Sequence, residues 1–263
     1  MNRVAIVTGG SSGIGLCASQ SLVEQGCRVY IFSRRPYTLK GASHICVDVT
    51  DEQQVQQAVQ QVLSHEKRID LLVNCAGFGI SGAVEFTELA DAKRQMDVNF
   101  FGMVNMNKAV LGQMRQQGSG RIVNISSVAA PVAIPFQTYY SASKAAINAY
   151  TCALANEIRP YGVSVTAIQP GDIATGFTAA RKKSEIGDEA YGGRISRSVA
   201  VMEHDEQNGM KPEVAGKYIA KIALKKKVKP LYTIGFSYKC VCFLVKVLPC
   251  GLLNRLVGMI YAK

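Results

Sequence analysis

The sequence predicts one α/β domain built around a doubly wound parallel sheet of about seven strands. Short apolar runs typical of strands alternate with longer helical stretches, and a glycine-rich turn follows the first run. Such alternation favours a parallel sheet covered by helices on both faces. With 263 residues, 48% of them hydrophobic, the chain is long enough to bury a large core in a single domain.

The predicted elements follow one another in a regular order. The strand-like runs are 3–8, 28–33, 44–49, 69–74, 121–126, 163–168 and 230–234. The helix-like stretches are 16–25, 51–66, 91–117, 138–159 and 212–224. We assign residues 1–234 to the domain, including a long polar loop at about 172–211, and residues 235–263 to a C-terminal tail.

The glycine-rich turn connects the first predicted strand to the first predicted helix. Gly9, Gly13 and Gly15 have the spacing Gly-x3-Gly-x-Gly, with Ser11, Ser12 and Ile14 among them. Glycines let the backbone turn tightly and approach a phosphate, while the helix N-terminus offers free N–H groups and a positive dipole end. Strand, glycine turn and helix in this order predict a dinucleotide-phosphate site.

Tyr140 and Lys144 are four residues apart in a predicted helix and therefore share one face. An isolated tyrosine has a pKa near ~10, and a neighbouring cation favours the phenolate, so we expect Lys144 to lower the pKa of Tyr140. Ser127, upstream in the chain, can fix a substrate oxygen beside the phenol. These three residues predict a general acid/base site acting on a carbinol oxygen. We prefer Tyr140 to Tyr139 because only Tyr140 is four residues before Lys144, and we expect Ser126 to end a strand.

With these features in this order, most of the chain resembles the short-chain dehydrogenase/reductase family. The matching segments are 8–15, Asp48-Val49, Asn74-Cys75-Ala76-Gly77, Asn99, Ser127, Tyr140 with Lys144, and 170–175. Cys75 stands where the family usually has a second asparagine. The resemblance implies a Rossmann-like fold and a catalytic tetrad of Asn99, Ser127, Tyr140 and Lys144. It also implies that Asn99 holds a helix kink and a water that links Lys144 to solvent.

The residues after the second strand indicate which dinucleotide is bound. An NAD site usually places an acidic residue about 20 residues beyond the glycines, but Ser33 takes that place here. Arg34 and Arg35 follow and can hold a 2′-phosphate with planar donors, so we expect NADP(H). The resemblance adds Asp48 on the adenine amine and Val49 against the ring. It further implies cofactor contacts from Asn74, Ala76, Gly77, Tyr140, Lys144, Pro170, Gly171, Ile173 and Thr175.

The loop at 172–211 and two later segments indicate a lipophilic substrate. Glycines in the loop suit a hinged lid, and its basic run Arg181-Lys182-Lys183 could meet a carboxylate or phosphate. Gly176-Phe177, 211–215 and 229–232 resemble the hydroxysteroid and retinol dehydrogenase branch of the family. We therefore expect hydroxyl–ketone interconversion on a hydroxysteroid or bile acid, with acyl-dihydroxyacetone-phosphate or retinal reduction as alternatives. A non-catalytic NADP-binding sensor is the remaining alternative, which the complete tetrad disfavours.

The positive charge is concentrated near the C-terminus. Residues 211–263 carry 11 lysines and arginines and one acid, a net of +10 out of the chain's +11. The tail is mostly apolar, and Pro249 and Gly251 divide it into two short predicted helices, each below the ~20 residues that span a bilayer. Three interpretations stay open for it: an amphipathic segment on a membrane surface, a cover over the substrate cleft, or a dimer surface.

Cysteine and histidine usage indicates neither a disulfide framework nor a metal site. The eight cysteines form no Cys-x2-Cys pair, and the three histidines are scattered. Reduced thiols, and a first strand that begins almost at once, predict a cytoplasmic enzyme, peripheral at a membrane if the tail binds one. No nucleic-acid motif accompanies the lysine-rich segment 225–229, so no nucleic-acid partner is expected, whereas a homo-oligomer is.

Overall fold

The computed structural model describes residues 3–262, so Met1, Asn2 and Lys263, at the ends of the predicted domain and tail, lie outside the described residues. The strands are β1 Val4–Thr8, β2 Arg28–Ser33, β3 Ala42–Cys46, β4 Leu71–Asn74, β5 Ile80–Ser81, β6 Gly120–Ile125, β7 Val163–Gln169, β8 Lys182–Lys183 and β9 Leu231–Thr233. The helices are α1 Gly13–Glu24, α2 Glu52–Glu66, α3 Leu89–Met96, α4 Gly102–Gln117, α5 Thr138–Ile158, α6 Phe177–Ala180, α7 Arg194–Gln207, α8 Pro212–Leu224, α9 Phe236–Val247 and α10 Cys250–Tyr261.

Seven of these strands form one parallel sheet in the order β3-β2-β1-β4-β6-β7-β9. The direction of winding reverses at β1, since β2 and β3 lie on one side of it and β4 and the later strands on the other. Sheets of this kind bind ligands beyond the carboxyl ends of the strands at that switch point. The predicted doubly wound α/β fold is therefore confirmed.

Helices cover both faces of the sheet because successive strand side chains point to opposite sides. Val4 and Ile6 of β1 pack into a cluster with α2, α4 and α5. Ala5 and Val7 pack into a second cluster with α1 and α8. Burial on both faces explains why β1 is apolar throughout instead of alternating with polar residues.

β3 lies earlier in the chain than the predicted run 44–49. Its register with β2 runs from Val29 opposite Ala42 to Ser33 opposite Cys46, so the two strands end together. Asp48 and Val49 therefore follow the strand and lie on the loop at its carboxyl end. The predicted helix 91–117 is likewise divided, because a π-helical turn at Asp97–Phe101 separates α3 from α4.

The loop predicted at 172–211 is largely structured. It contains α6 and α7, and β8 pairs in parallel with β5 to form a second, two-stranded sheet. Each cation of its basic run forms an ion pair with an acidic side chain of the protein: Arg181 with Glu206, Lys182 with Asp91 and Lys183 with Glu203. In this conformation those three cations are neutralised, which argues against the predicted recognition of a substrate carboxylate or phosphate by this run.

The tail forms the two predicted helices. α9 ends at Val247, just before Pro249, and α10 begins just after it, at Cys250. No side chain of α9 is buried, and α10 buries Val257 alone. Between residues 3 and 262, no helix is both long enough and apolar enough to cross a membrane.

Candidate active site

Tyr140, Ser127 and Lys144 come together at the carboxyl end of β6. α5 presents Tyr140 and Lys144 on one face, with Lys144 Nζ 5.5 Å from the centroid of the Tyr140 ring. The Ser127 hydroxyl forms a hydrogen bond with the Tyr140 phenol. Lys144 Nζ donates to the carbonyl oxygen of Ile125 at 2.9 Å, which ties the lysine to the end of the strand.

Ser126 uses its hydrogen bonds to hold the fold together, so Ser127 stays the predicted catalytic serine. β6 ends at Ile125, one residue earlier than predicted. The Ser126 N–H still donates to Ile168 O at 2.8 Å, and its hydroxyl donates to Lys144 O at 3.0 Å. Ser126 thus anchors α5 to the sheet, while Ser127 is the serine that reaches the phenol.

The pKa of Tyr140 shifts in the direction opposite to the prediction. Burial raises it to about 12, and the charges of Glu206 and Asp172 add to the rise, while the Ser127 hydrogen bond and Arg181 oppose it. Burial also lowers the pKa of Lys144 to about 8. Desolvation disfavours both charged forms and is the largest cause of both pKa shifts. The structure therefore keeps Tyr140 protonated, as a proton donor must be.

Asn99 lies at the centre of the π-helical turn, where the resemblance implied a kink. Its amide clamps the backbone of Phe78, because Oδ1 accepts from Phe78 N and Nδ2 donates to Phe78 O, both at 3.0 Å. Nδ2 also donates to Ser143 Oγ at 3.2 Å, and that hydroxyl donates to Tyr140 O. Asn99 therefore connects the kinked helix to the helix that carries Tyr140.

The glycine turn brings its backbone against the loop after β4. Gly9 has φ +62°, and a Cβ added there would lie 2.9 Å from Ala76 N. A Cβ at Gly15 would lie 2.4 Å from Gly9 O, so no larger residue fits the turn. α1 begins at Gly13, directly after Ser12, and the first N–H groups of a helix have no intrahelical acceptor.

The remaining members of the turn surround that helix start. Ser12 O accepts from Leu16 N at 3.0 Å, and the Ser12 side chain is exposed. Ser11 and Ile14 are half-buried on either side of it. The turn thus offers exposed backbone donors at the positive end of α1, which suits a pyrophosphate.

Arg34 lines a cavity of about 520 Å³ at the carboxyl edge of the sheet. The cavity is also lined by Asp48, Thr50, Arg94, Asp97, Val98 and Phe101. Arg35 is exposed but does not line it. The Ser33 hydroxyl is held within the protein, 2.9 Å from both Arg35 O and His44 Nε2. The structure thus places Arg34 at this cavity, while Ser33 shapes the turn that carries it.

Asp48 also lines that cavity, and Val49 follows it in the chain. Asp48 Oδ1 accepts from the N–H and hydroxyl of Thr50, at 3.0 and 2.8 Å, which fixes its carboxylate. Val49 is buried, and its carbonyl accepts from Asn105 Nδ2 at 3.0 Å. Asp48 shares the cavity with Arg34, and contact of Asp48 and Val49 with an adenine stays a prediction.

The segment after β4 is shared between the core and the site. Asn74 turns into the core, where Nδ2 donates to Asn107 Oδ1 at 2.8 Å and to Asn124 Oδ1 at 2.9 Å. Its side chain therefore links strands and helices below the cleft. Ala76 meets the glycine turn, and a Cβ added at Gly77 would lie 3.8 Å from Lys144 Nζ.

The segment 170–175 borders both the catalytic residues and the glycine turn. Pro170 O accepts from Val128 N at 2.9 Å, next to Ser127. Ile173 pairs with Met210 in an isolated bridge, and Thr175 faces the Cβ position of Gly13 at 3.8 Å. Gly171 packs under the ring of Tyr238 from the tail.

Four contributors to the site were missed by the sequence analysis. The Phe177 ring lies 5.8 Å from the Tyr140 ring, Arg94 lines the Arg34 cavity, Glu206 acts on the phenol, and Tyr238 contacts Gly171. Phe177 had a local signal, because it lies two residues after the 170–175 segment, in the Gly176-Phe177 pair that the sequence analysis used only for the resemblance to a branch of the family. Arg94, Glu206 and Tyr238 had none, since only long-range packing brings them to the site.

The donor set fits a nicotinamide dinucleotide. Side chains at Gly9 and Gly15 would clash with nearby backbone, the start of α1 offers backbone N–H groups, and Arg34 supplies a cation at the far end. Gly9, Gly13 and Gly15 would hold the pyrophosphate, Asp48 and Val49 the adenine, and Arg34 a 2′-phosphate.

Comparison with known proteins agrees with this site. The short chain dehydrogenase family model matches residues 3–186. A 3-ketodihydrosphingosine reductase from Bacteroides thetaiotaomicron is 43% identical over 244 residues, covering 89% of this chain and 91% of that protein. A 3-dehydrosphinganine reductase from Danio rerio is 30% identical, covering 94% of this chain and 74% of that protein.

Solved structures show the same fold. A short-chain dehydrogenase from Streptomyces avermitilis superposes with a TM-score of 0.83 at 29% identity, covering 94% of both chains. A Burkholderia cenocepacia short chain dehydrogenase in complex with NADP superposes with a TM-score of 0.79 at 27% identity, covering 97% of both. The two reductases from Bacteroides thetaiotaomicron and Danio rerio represent a different branch from the hydroxysteroid and retinol dehydrogenase branch that the sequence favoured. They therefore do not support a role in steroid metabolism. The family match and the identity to these relatives establish that this chain belongs to the short-chain dehydrogenase/reductase family of oxidoreductases.

Proposed function

We propose that the protein is an NADPH-dependent reductase that converts the ketone of a long-chain amino ketone, of the 3-ketodihydrosphingosine type, into a hydroxyl. The observation that carries the reductive chemistry is the buried Tyr140, held protonated beside Ser127 and Lys144. The substrate class is supported by the relative that is 43% identical over nearly the whole chain. A hydroxysteroid, which the sequence favoured, is the competing substrate.

Each residue of the tetrad has its own role in the reduction of the ketone. Tyr140 donates its phenol proton to that oxygen, and Ser127 orients the oxygen through its hydroxyl. Lys144 lies near enough to stabilise the phenolate that remains, and Asn99 holds the helices in register. NADPH, when bound, supplies the hydride that the carbonyl carbon accepts.

The cofactor preference rests on Arg34 and on the missing acid after β2. Ser33 stands where a carboxylate would repel a 2′-phosphate, and the adjacent Arg34 lines the cavity beside Asp48. Arg94 lines the same cavity, so two arginines there balance the charges of Asp48 and Asp97. Planar guanidinium donors match phosphate geometry, which favours NADP over NAD.

The tail supports a peripheral position at an anionic lipid surface. Phe236, Phe243, Leu244 and Val247 lie on one outward stripe of α9, with Phe236 83% and Phe243 64% exposed. α10 repeats the pattern with Leu252, Leu256, Met259 and Ile260. Lys239, Lys246 and Arg255 accompany these stripes, and Glu213 is the last acid in the sequence. A long-chain substrate is held in membranes, so a docked tail would place the cleft near its source.

An assay of NADPH oxidation with a panel of ketones tests the proposal. The panel contains 3-ketodihydrosphingosine, a ketosteroid, a keto bile acid, retinal and acyl-dihydroxyacetone phosphate. The expected result is the highest kcat/KM for 3-ketodihydrosphingosine, with NADPH preferred to NADH. A higher kcat/KM for the ketosteroid or the keto bile acid would reject the amino-ketone assignment and restore the hydroxysteroid one.

A further inference from the structure

A group of charged side chains lies near Tyr140, outside the tetrad. Arg181 pairs with Glu206, and Thr178 Oγ1 donates to the same carboxylate at 2.5 Å. The Arg181 guanidinium lies 5.7 Å from the centroid of the Phe177 ring, and that ring is 5.8 Å from the Tyr140 ring. Phe177 therefore connects this charged group to the catalytic phenol.

Arg181 is buried with unused hydrogen-bonding capacity. Only 5% of the residue is exposed, yet Nε and Nη1 have no hydrogen-bond partner in the described part of the chain. A buried donor without an acceptor is costly, and native structures rarely leave one. Glu206 occupies one side of the guanidinium, so its remaining donors are free for an oxygen atom of a ligand.

Asp172 supplies a negative charge without a protein cation to match it. It follows Pro170 and Gly171, whose segment is bonded to Val128 beside the catalytic serine. Its Oδ2 accepts from the hydroxyl of Tyr238 at 2.6 Å, and no ion pair with Asp172 is formed by residues 3–262. Burial raises its pKa, so a cation beside this carboxylate would be favourable.

Among the charged groups of residues 3–262 that act on the Tyr140 phenol, Asp172 is the acid without an ion pair. Glu206 also acts on the phenol, but Arg181 pairs with it and opposes its effect. The neighbouring Lys182 and Lys183 are paired with Asp91 and Glu203. A substrate group next to the reacting ketone would therefore meet one unpaired carboxylate together with two unused guanidinium donors.

We propose that Asp172, Glu206 and Arg181 form a head-group subsite for a substrate with an ammonium group on the carbon next to the ketone and a hydroxyl one carbon further. Asp172, supported by Glu206, accepts the ammonium, and the free donors of Arg181 bind the hydroxyl oxygen. The proposal rests on the proposed amino-ketone reductase function and names the residues that give it selectivity.

The test compares substrates that differ by one group on the same protein sample. We would measure kcat/KM with NADPH for 3-ketodihydrosphingosine, its desamino analogue and its 1-deoxy analogue. Wild-type protein should prefer 3-ketodihydrosphingosine to the desamino analogue by about tenfold or more, as expected for one charge-assisted contact. Each comparison is a ratio from one sample, so a lowered folded fraction in a variant cancels.

Asp172→Asn keeps an acceptor for Tyr238 and removes the charge, so it should abolish most of the preference for the amino substrate. Arg181→Lys keeps the charge beside Glu206 and removes Nε and Nη1, so it should reduce the preference over the 1-deoxy analogue severalfold. Glu185→Gln, an exposed acid of the same loop, serves as the control and should leave both ratios unchanged.

The outcomes separate this proposal from the proposed function. If wild-type protein reduces all three ketones equally well and Asp172→Asn changes no ratio, the subsite is refuted while the reductase function stands. If wild-type protein reduces none of them but reduces a ketosteroid, the proposed function fails and the subsite fails with it.

Discussion

Tyr238 of the tail and Asp172 of the cofactor-side loop form a two-way hydrogen bond. The Tyr238 hydroxyl donates to Asp172 Oδ2 at 2.6 Å and accepts from Asp172 N at 3.1 Å. The ring lies over Gly171, where an added Cβ would approach its atoms to within 2.2–2.3 Å. The tail is thereby fastened to the segment that follows β7, beside the proton donor.

Gly171→Ala should detach this contact. The new methyl group cannot coexist with the Tyr238 ring, and overpacking of this kind costs about 1–3 kcal/mol of unfolding free energy. Tyr238→Ala removes the ring, so the double variant should be less destabilised than the two single variants added together. Urea unfolding of all four proteins measures this coupling.

The control for that cycle is Gly251→Ala in α10. A Cβ at Gly251 would have nothing within 4 Å, so this change should be neutral or stabilising by up to about 1 kcal/mol. Additive effects of Gly171→Ala and Tyr238→Ala would show that Tyr238 does not lie against Gly171.

Tyr140→Phe should abolish turnover and leave cofactor binding nearly unchanged. The substitution keeps the ring against Phe177 but removes the proton donor and the hydrogen bond to Ser127. Steady-state rates and titration of NADPH fluorescence measure the two properties. Tyr139→Phe is the matched control, and a large loss of rate in that variant instead would move the assignment by one residue.

Lys144→Met should stabilise the cofactor-free protein at pH 7. Folding lowers the pKa of Lys144 to about 8 from ~10.4 in the unfolded chain, so the unfolded state binds more protons between these values. The free energy of unfolding of the wild-type protein therefore rises with pH across this window as Lys144 loses its proton. The variant has no such rise, because it lacks the titrating group. The advantage of Lys144→Met, on the order of 2–3 kcal/mol at most at pH 7, should shrink from pH 8 to pH 10.

Urea unfolding at pH 7, 8, 9 and 10 checks this prediction, with the exposed Lys217→Met as control. The raised pKa of Tyr140 acts in the opposite direction, since an unfolded tyrosine loses its proton first above pH ~10, so measurements stop there. A stability difference independent of pH would show that Lys144 keeps an ordinary pKa in the folded protein.

Arg34→Ala should weaken NADPH binding by tenfold or more and change NADH binding by less than twofold. A charge-assisted phosphate contact contributes a few kcal/mol at most, and ~1.4 kcal/mol corresponds to tenfold in affinity. Arg35→Ala is the matched control, because Arg35 does not line the cavity. Calorimetric titration with both cofactors decides the matter, and equal losses for NADPH and NADH would make Arg34 a structural residue.

The tail should bind anionic vesicles, less tightly at high salt. Each lysine near such a surface contributes about 1 kcal/mol, so the double variant Lys239→Glu with Lys246→Glu should reduce partitioning by more than tenfold. Lys40→Glu with Lys93→Glu changes the charge equally outside the tail and should have little effect. Vesicle sedimentation measures the partitioning.

Truncation after Ile234 separates the three interpretations of the tail. Loss of vesicle binding supports the lipid surface. Unchanged binding with a raised KM for lipophilic ketones supports a cleft cover, and dissociation of an oligomer in size-exclusion chromatography supports a subunit interface.

The sequence by itself determined the features that depend on local geometry. The apolar β1, the glycine turn and the start of α1 are contiguous, so their arrangement follows from backbone conformation alone. Tyr140 and Lys144 share a face because a helix repeats every 3.6 residues. The two tail helices followed from Pro249 and Gly251, which divide the apolar tail.

The tertiary structure decided everything that depends on burial or on distant partners. The register with β2 ended β3 at Cys46, although the apolar run extends further. Burial, which no local pattern reports, raised the pKa of Tyr140 and lowered that of Lys144. Arg181 pairs with Glu206, and Tyr238 bonds Asp172, 66 residues away in the chain. Such contacts between distant segments form only when the whole fold packs, so no local sequence pattern predicts them.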